Sequence, residues 1–204
     1  RRFPAVNFLV FADRASFSNT NSSLDGTVNT GQFGSDIRNE TGWGAGVNFY
    51  LGRTNLSTEF TYSNIQPRAT LTPTNTAFQP ITDLRFKMQP ITGTLQLHFN
   101  PRSSVDFYLG GGGAYVMFKP SSSFNPGNSG LTGLRFRDEW GPLVNAGLGF
   151  GFSPNFGINL DAKYMWVRAN ATPTFGNVTI GNVGNSSRIG VNPFVVSAGL
   201  RFGF

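Results

Sequence analysis

The strongest constraint on the fold is a two-residue alternation in the last fourteen residues, 191–204. The even positions from Phe194 to Phe204 are all apolar, and the odd positions from Ser197 to Gly203 are small or polar. A period of two is typical of a β-strand with one apolar face. A soluble sandwich would have to cover that face with a second sheet, whereas a membrane barrel needs only lipid. The pattern therefore predicts a closing strand that faces lipid.

The composition agrees with strands that cross a membrane. The chain of 204 residues contains 21 Phe and 26 Gly, and only 13% of its residues are charged. No segment approaches the roughly 18 consecutive apolar residues of a membrane helix. Alternating strands place half of their residues against lipid and half in a small or polar interior. The evenly spread aromatic residues argue against disorder, and because no linker divides the chain we expect one domain.

Several classes of site are excluded by residue counts. The chain has no cysteine, so it cannot form a disulfide framework or a thiolate metal site. Its single histidine, His98, rules out a histidine-rich metal site, and no cofactor or metal is expected. The net charge of +6 is spread along the chain, which favours contact with anionic head groups over nucleic acid. No secretory signal is visible at the start, so export would imply a signal that has been removed.

Seven further segments show strand-like alternation. In the clearest of them, the side chains from Trp43 to Leu51 on the odd positions are apolar, while glycine and asparagine alternate with them. In the first segment Val6, Phe8 and Val10 form the cleaner apolar face, but the pattern leaves its orientation open. The predicted strands before the closing one are 3–17, 41–51, 56–63, 84–99, 105–118, 135–152 and 156–167.

The fourth of these segments changes phase at Pro90. Before it Phe86 and Met88 share a face, and after it Ile91 and Leu95 share the opposite parity. Because proline cannot donate to the ladder, we expect a bulge or a broken pairing there.

The connections between strands alternate in length. Short turns at 52–55, 100–103 and 153–155 separate long polar segments at about 18–40, 66–83, 119–134 and 168–189. Seven connections imply eight antiparallel strands with both termini on the short-turn side. The predicted fold class is an all-β, transmembrane, antiparallel up-and-down β-barrel with four long external loops. A lipocalin-like soluble barrel would instead place apolar residues inside, whereas here glycine and charge lie opposite the aromatic residues.

The second half of the chain resembles the outer-membrane protein W (OmpW) family. The resemblance runs from about residue 88 to the end, and before it only the strand rhythm matches. It implies an eight-stranded barrel with a narrow, partly apolar interior, through which small hydrophobic compounds cross the outer membrane and leave sideways. The family offers no catalytic residues to transfer. The segments that carry the resemblance are 89–92, 108–118, 138–141, 159–166 and 191–204.

Inward-facing residues can be ordered by their height along the barrel, at about 3.3 Å per residue. The lumen of an eight-stranded barrel is wide enough only for its own side chains or for one small ligand. The lower half is predicted to be a plug in which carboxylates pair with Lys163 and Arg201, because unpaired burial is costly. Arg201 is expected to serve Glu59 or Asp161. A proton relay or a catalytic role is the alternative, although no serine–acid constellation is recognisable around His98. The predicted plug comprises Glu59, His98, Asp106, Asp161, Lys163 and Arg201.

The upper half is predicted to be an apolar substrate pocket, with ordinary side-chain packing as the alternative. Its candidate residues are Phe11, Val116, Phe118, Leu143, Met165, Val167 and Val195. The candidate weak seam for lateral exit comprises Pro90, Gly110, Gly111, Gly112 and Gly113.

Two functions remain open at this point. The first is a non-enzymatic, monomeric outer-membrane channel that takes up small hydrophobic molecules. The second is a structural or surface-interaction barrel whose long loops bind a partner or lipopolysaccharide. A lumen packed from rim to rim would favour the second.

Overall fold

A computed structural model describes residues 5–17, 33–52, 54–73, 81–101, 103–120, 131–175, 178–179, 187–190 and 192–204. This part of the chain contains no helix that is long and apolar enough to cross a membrane. The strands are β1 (Val6–Phe17), β2 (Phe33–Arg38), β3 (Glu40–Tyr50), β4 (Leu56–Ile65), β5 (Arg68–Pro73), β6 (Ile81–His98), β7 (Val105–Pro120), β8 (Leu131–Phe136), β9 (Glu139–Gly151), β10 (Phe156–Met165), β11 (Arg168–Phe175), β12 (Val178–Thr179), β13 (Ser187–Gly190) and β14 (Pro193–Gly203).

Eight of these strands form a closed antiparallel barrel, which confirms the predicted fold class. They follow one another around the wall in the order β1, β3, β4, β6, β7, β9, β10 and β14. The barrel closes where β1 pairs with β14, from Asn7 opposite Gly203 to Phe17 opposite Pro193. Closure removes both sheet edges, so each barrel strand has a partner on either side.

The short turns and both described ends of the chain lie at one end of the barrel, here called the turn end. The amide of Phe204 donates to the carbonyl of Val6 over 3.0 Å, and the amide of Gly203 donates to Asn155 in the last turn over 2.9 Å. In the first turn Gly52 has a φ of 63°, a left-handed conformation that favours glycine. The opposite end is called the loop end, which in outer-membrane barrels faces the exterior.

The segments predicted as long loops contain strands where the structure describes them, and the remainder of these segments lies outside the described residues. Strands β2, β5, β8, β11, β12 and β13 lie wholly or mostly within them, and β6 begins at Ile81. Most of them pair with one another and extend the wall beyond the loop end, as β2 does with β5 and β11 with β8. These extensions escaped prediction because strands above the lipid need no continuous apolar face, so their sequences lack the alternation.

The alternation of faces in the barrel strands agrees with the sequence. In β1, Phe8 and Val10 are 51% and 58% exposed, whereas Asn7, Leu9 and Asp13 are buried. The orientation that the sequence left open is therefore settled, with Phe8 and Val10 on the lipid side.

Strand β6 has no phase slip and no bulge at Pro90, but the alternative predicted there, a broken pairing, is present in its ladder with β4. Phe86, Met88, Pro90 and Thr92 are all buried on the inner face. Its register with β7 is continuous from Phe86 to His98. The apparent slip arose because the lumen changes from apolar to polar near Pro90, so the apolar residues change sides while the strand does not.

Candidate functional site

The polar plug fills the lumen towards the turn end. Its six predicted members, Glu59, His98, Asp106, Asp161, Lys163 and Arg201, are each at most 7% exposed. They come from five strands. Each faces the lumen because the two-residue period turns every second side chain towards the axis. Buried charges of this kind are stable only when they are paired and hydrogen-bonded.

Lys163 connects opposite walls of the barrel. Its Nζ lies 2.5 Å from Asp161 on the same strand, β10, and 3.2 Å from Glu59 on β4. Strands β4 and β10 are four places apart in a ring of eight, so the contact with Glu59 spans the lumen. Lys163 is thus the ion-pair partner of both carboxylates, whereas the sequence had led us to expect Lys163 and Arg201 to share them.

Asp161 is also held by neutral donors. Its Oδ1 accepts hydrogen bonds from the Tyr108 hydroxyl at 2.8 Å and from Asn145 Nδ2 at 3.0 Å. The Tyr108 hydroxyl in turn accepts a hydrogen bond from Asn159 Nδ2 at 3.0 Å. These bonds tie β7, β9 and β10 together through the lumen.

A serine–histidine–aspartate relay lies beside the ion pairs, and the sequence had not revealed it. The Ser57 hydroxyl is 2.8 Å from His98 Nε2, and His98 Nδ1 is 2.5 Å from Asp106 Oδ2. Ser57 also accepts a hydrogen bond from Asn48 Nδ2 at 2.9 Å and lies 3.2 Å from Gln96 Oε1. Ser57 is 0% exposed, so its hydroxyl is enclosed by the plug.

Arg201 lies in the plug on the side of β9 and β10. Its guanidinium passes over Gly149 and Gly157, where a Cβ would come within 3.2 Å and 3.1 Å of its nitrogens. It lines a small cavity together with residues that include Tyr50, His98 and Asp106. The two glycines therefore make room for the largest cation of the plug.

An apolar cluster lies on the loop-end side of the plug. Six of the seven predicted pocket residues belong to it: Val116, Phe118, Leu143, Met165, Val167 and Val195. The sequence had not identified the other members, which are Ala15, Phe17, Ile65, Phe86, Met88 and Ala114. Each is at most 9% exposed, so the described cluster is closely packed.

Phe11, the seventh predicted pocket residue, lies apart from this cluster. Its ring packs against Gly44 and its Cβ lies against Gly199, so a Cβ at either glycine would collide with Phe11. Lys163 Nζ is 6.0 Å from the centre of the Phe11 ring. Phe11 therefore contacts the plug. A further buried carboxylate, Asp13, lies two residues towards the loop end and accepts a hydrogen bond from Ser197 at 2.5 Å.

The wall is interrupted between β4 and β6, at Pro90. Their ladder runs to Tyr62 opposite Ile91 and resumes with Ile65 opposite Met88 in the same register. The two positions between are unpaired, because Pro90 has no amide hydrogen to donate. On the lipid side Gln89 Nε2 donates to the Tyr62 hydroxyl across this gap over 2.7 Å.

The other side of Pro90 is continuous, so the predicted glycine seam between β6 and β7 is paired throughout. Gly110, Gly111, Gly112 and Gly113 all take part in the β6–β7 ladder. Gly112 permits close approach, since a Cβ there would overlap the Gly93 carbonyl oxygen. Of the predicted seam, only Pro90 borders an interruption of the wall.

Aromatic rings encircle the outer surface at two heights. The loop-end girdle is formed by Trp43, Tyr62, Tyr115, Trp140, Tyr164 and Trp166. In the part of the chain that the structure describes, the turn-end girdle consists of phenylalanines: Phe8, Phe99, Phe107, Phe152, Phe156, Phe202 and Phe204. Between them the exposed side chains are apolar, among them Leu95, Val144, Leu148 and Leu200. Two girdles around an apolar band are characteristic of outer-membrane barrels.

Comparison with known sequences agrees with this surface. The model of the OmpW family matches residues 8–204. Outer membrane protein AlkL of Ectopseudomonas oleovorans is 27% identical over 115 residues, 56% of this chain and 46% of that protein. A putative outer membrane protein of Rickettsia bellii is 31% identical over 119 residues, 57% of this chain and 43% of that protein. The chain thus matches about half the length of these curated relatives.

Solved structures share the fold over the whole chain. The crystal structure of OprG from Pseudomonas aeruginosa aligns with a TM-score of 0.76 at 18% identity, covering 100% of this chain and 98% of that one. The solid-state NMR structure of AlkL in lipid bilayers aligns with a TM-score of 0.72 at 18% identity, covering 100% and 91%. With a lipid-facing belt, a closed eight-stranded wall and a family model that matches nearly every residue, this chain is a bacterial outer-membrane barrel and belongs to the OmpW family.

Proposed function

We propose that the barrel is a passive, non-enzymatic route by which small apolar molecules enter the outer membrane. A molecule enters at the loop end, dissolves in the apolar cluster, is stopped by the polar plug, and leaves sideways between β4 and β6. The proposal revises the exit predicted from sequence, because Pro90 stays at its edge while the four glycines do not.

The observation that carries the proposal is the position of the gap. Ile65 and Met88, the first pair beyond it, are both 0% exposed and belong to the apolar cluster. On the turn-end side, Thr61 and Thr92 meet through their hydroxyls at 2.6 Å, where the polar lumen begins. The interruption of the wall thus lies at the boundary where an apolar molecule moving down the lumen would meet charge.

Passage requires the cluster to repack around the molecule. Met88 and Met165 are suited to this, since methionine is unbranched and adapts its shape to its surroundings. The plug contributes by excluding ions and water, so lateral exit is the favourable path for an apolar compound.

The test closes the gap after the barrel has folded. The chain has no cysteine, so Asn64→Cys with Gln89→Cys places two thiols at facing positions of the gap, for joining by a short bifunctional thiol reagent. The matched control is Thr58→Cys with Leu95→Cys, a directly opposed pair lower on the same two strands. Uptake of a fluorescent apolar probe into proteoliposomes should fall on cross-linking the first pair and stay unchanged on cross-linking the second.

A second variant tests entry. Leu143 is 2% exposed within the apolar cluster, so Leu143→Arg places a charge on the proposed path. Uptake should fall although the barrel inserts and keeps its heat-modifiable gel mobility. Unchanged uptake in both the cross-linked protein and this variant would contradict the channel.

The packing of the cluster favours a second candidate, a structural or surface-interaction barrel. Each described member of the cluster is at most 9% exposed, as expected for a lumen filled by its own side chains. A wild-type protein that transfers no apolar probe faster than empty liposomes would support this candidate.

We assign the Ser57–His98–Asp106 relay to the plug and not to catalysis. A nucleophile must reach its substrate, but Ser57 is fully buried and Asn48 already donates to its hydroxyl. A serine-directed fluorophosphonate should therefore leave the folded protein unlabelled, and labelling that Ser57→Ala abolishes would overturn this assignment.

A further inference from the structure

We propose that the outer face of β2, β5, β6 and β7 at the loop end binds the phosphate groups of lipopolysaccharide, at its lipid A part. The site is a set of cations on neighbouring strands, called the basic face: Arg38, Arg68, Arg85, Lys87 and Lys119. It is separate from the lumen, and the inference does not rest on the proposed uptake.

The register places like charges directly opposite one another. Arg68 on β5 faces Arg38 on β2 and Arg85 on β6. One step closer to the membrane, Lys87 on β6 faces Lys119 on β7. Directly opposed residues have Cβ atoms about 5 Å apart, and like charges at that distance destabilise a sheet. An anion bound between them would convert repulsion into attraction.

The lysine pair carries most of the argument. Lys119 is exposed and Lys87 is partly exposed, so both ammonium groups can reach a ligand outside the wall. Among nearby acids, Glu40 pairs with Arg68 at 3.2 Å, and Asp138 accepts hydrogen bonds from Tyr115 and from the Phe118 amide. Glu40 and Asp138 therefore have partners of their own, and the register leaves the two lysines facing each other.

The height of the basic face identifies the anion as a lipid head group. Lys119 lies four residues beyond Tyr115 of the loop-end girdle, and Lys87 lies four residues beyond the lipid-facing Ile91. Four residues correspond to about 13 Å along a strand, which reaches from the acyl region to the head groups. Ile91 and Leu95, 45% and 51% exposed, lie below the cations, where acyl chains of the same lipid would pack.

The test measures lipid retention by the full chain in detergent. Native mass spectrometry would follow titration with bis-phosphorylated lipid A, dephosphorylated lipid A, phosphatidylglycerol and inorganic phosphate. The variant is Lys87→Gln with Lys119→Gln, and Lys119→Gln alone serves as the milder form. The matched control is Arg14→Gln, an exposed cation on β1 that faces Thr41 and Val196 and has no cation opposite it.

We expect wild type to retain bis-phosphorylated lipid A in preference to the other three ligands. The double variant should weaken that binding about 30-fold, or about 2 kcal/mol, since each cation at a lipid surface contributes a similar share. Arg14→Gln should bind like wild type.

Three outcomes would overturn the site. Equal binding by the double variant would exclude the lysine pair, and an equal loss with Arg14→Gln would indicate general surface charge. Retention of dephosphorylated lipid A as tightly as the phosphorylated form would exclude phosphate recognition, and equally tight binding of inorganic phosphate would exclude a lipid source. Removing the lysine repulsion should not impair folding, and unchanged gel mobility would verify this.

Discussion

Replacing Lys163 by methionine should destabilise the barrel more than any other single change in the plug. Methionine keeps most of the apolar length of the lysine side chain and removes its charge. Lys163 is 5% exposed and lies between Asp161 and Glu59, so the change leaves two carboxylates in the lumen without their cation. The perturbation is therefore mainly electrostatic.

The expected magnitude follows from the two contacts. Removing one partner of a buried ion pair typically costs about 3–5 kcal/mol. Because Lys163 serves two carboxylates, at 2.5 Å and 3.2 Å, we expect the upper part of that range. Replacing the whole group with neutral residues, by Lys163→Met with Glu59→Gln and Asp161→Asn, should recover most of the loss because no uncompensated charge remains.

The assay is urea unfolding of the protein in lipid vesicles, followed by tryptophan fluorescence. Trp43, Trp140 and Trp166 all lie on the lipid side of the loop-end girdle, so their emission reports transfer from membrane to water. The single variant, the triple variant and wild type would be compared at one lipid composition. The linear extrapolation gives the free energy of unfolding of each.

A loss below about 1 kcal/mol in the single variant would refute the assignment of Lys163 as the central cation, because exposed pairs contribute about that much. A triple variant as unstable as the single one would show that volume, and not uncompensated charge, causes the loss.

Three further results are expected. Gly112→Ala should destabilise the barrel by about 1–3 kcal/mol in the same assay, because its Cβ would overlap the Gly93 carbonyl, whereas Gly111→Ala, whose Cβ would have its nearest neighbour at 3.7 Å, should be nearly neutral. Tyr108→Phe should cost about 1–3 kcal/mol, because Asp161 loses a buried donor, and an unchanged unfolding midpoint would contradict that hydrogen bond. Refolding from urea into detergent micelles should give a strand-dominated circular dichroism spectrum, and a cooperative monomer without detergent would contradict the membrane fold.

Sequence alone was sufficient for the lipid-facing wall because a single physical rule governs it. Lipid requires an apolar side chain at every second position, and this rule predicted the outward faces of Trp43 and Phe194 alike. Interior chemistry obeys no such rule, which is why the change at Pro90 from an apolar to a polar lumen was mistaken for a slip in β6. The strand extensions beyond the lipid were missed because no lipid imposes an apolar face on them.

Predicting the contacts within the plug requires the register between strands. The two-residue period predicts only whether a side chain points inward or outward. Ser57 faces Gln96 across β4 and β6, and His98 is the next inward-facing residue of β6. This register brings the Ser57 hydroxyl within hydrogen-bonding distance of His98. The reach of Lys163 to Glu59 depends on the closure of all eight strands, since only then do β4 and β10 lie opposite each other. Membership of the plug could be predicted from inward parity and charge, but the pairing within it could not.

The pairing of β1 with β14 has a consequence for the speed of folding. Seven of the eight barrel ladders join successive barrel strands, whereas the eighth joins Asn7 to Gly203, which are far apart in the sequence. Bringing such distant segments together costs about 5 kcal/mol of chain entropy on a logarithmic length dependence. Hairpins around the short turns can therefore form early, and the last ladder determines when the molecule becomes a barrel. Until that ladder forms, the sheet has two unpaired edges, and the chain is most prone to aggregation during this interval.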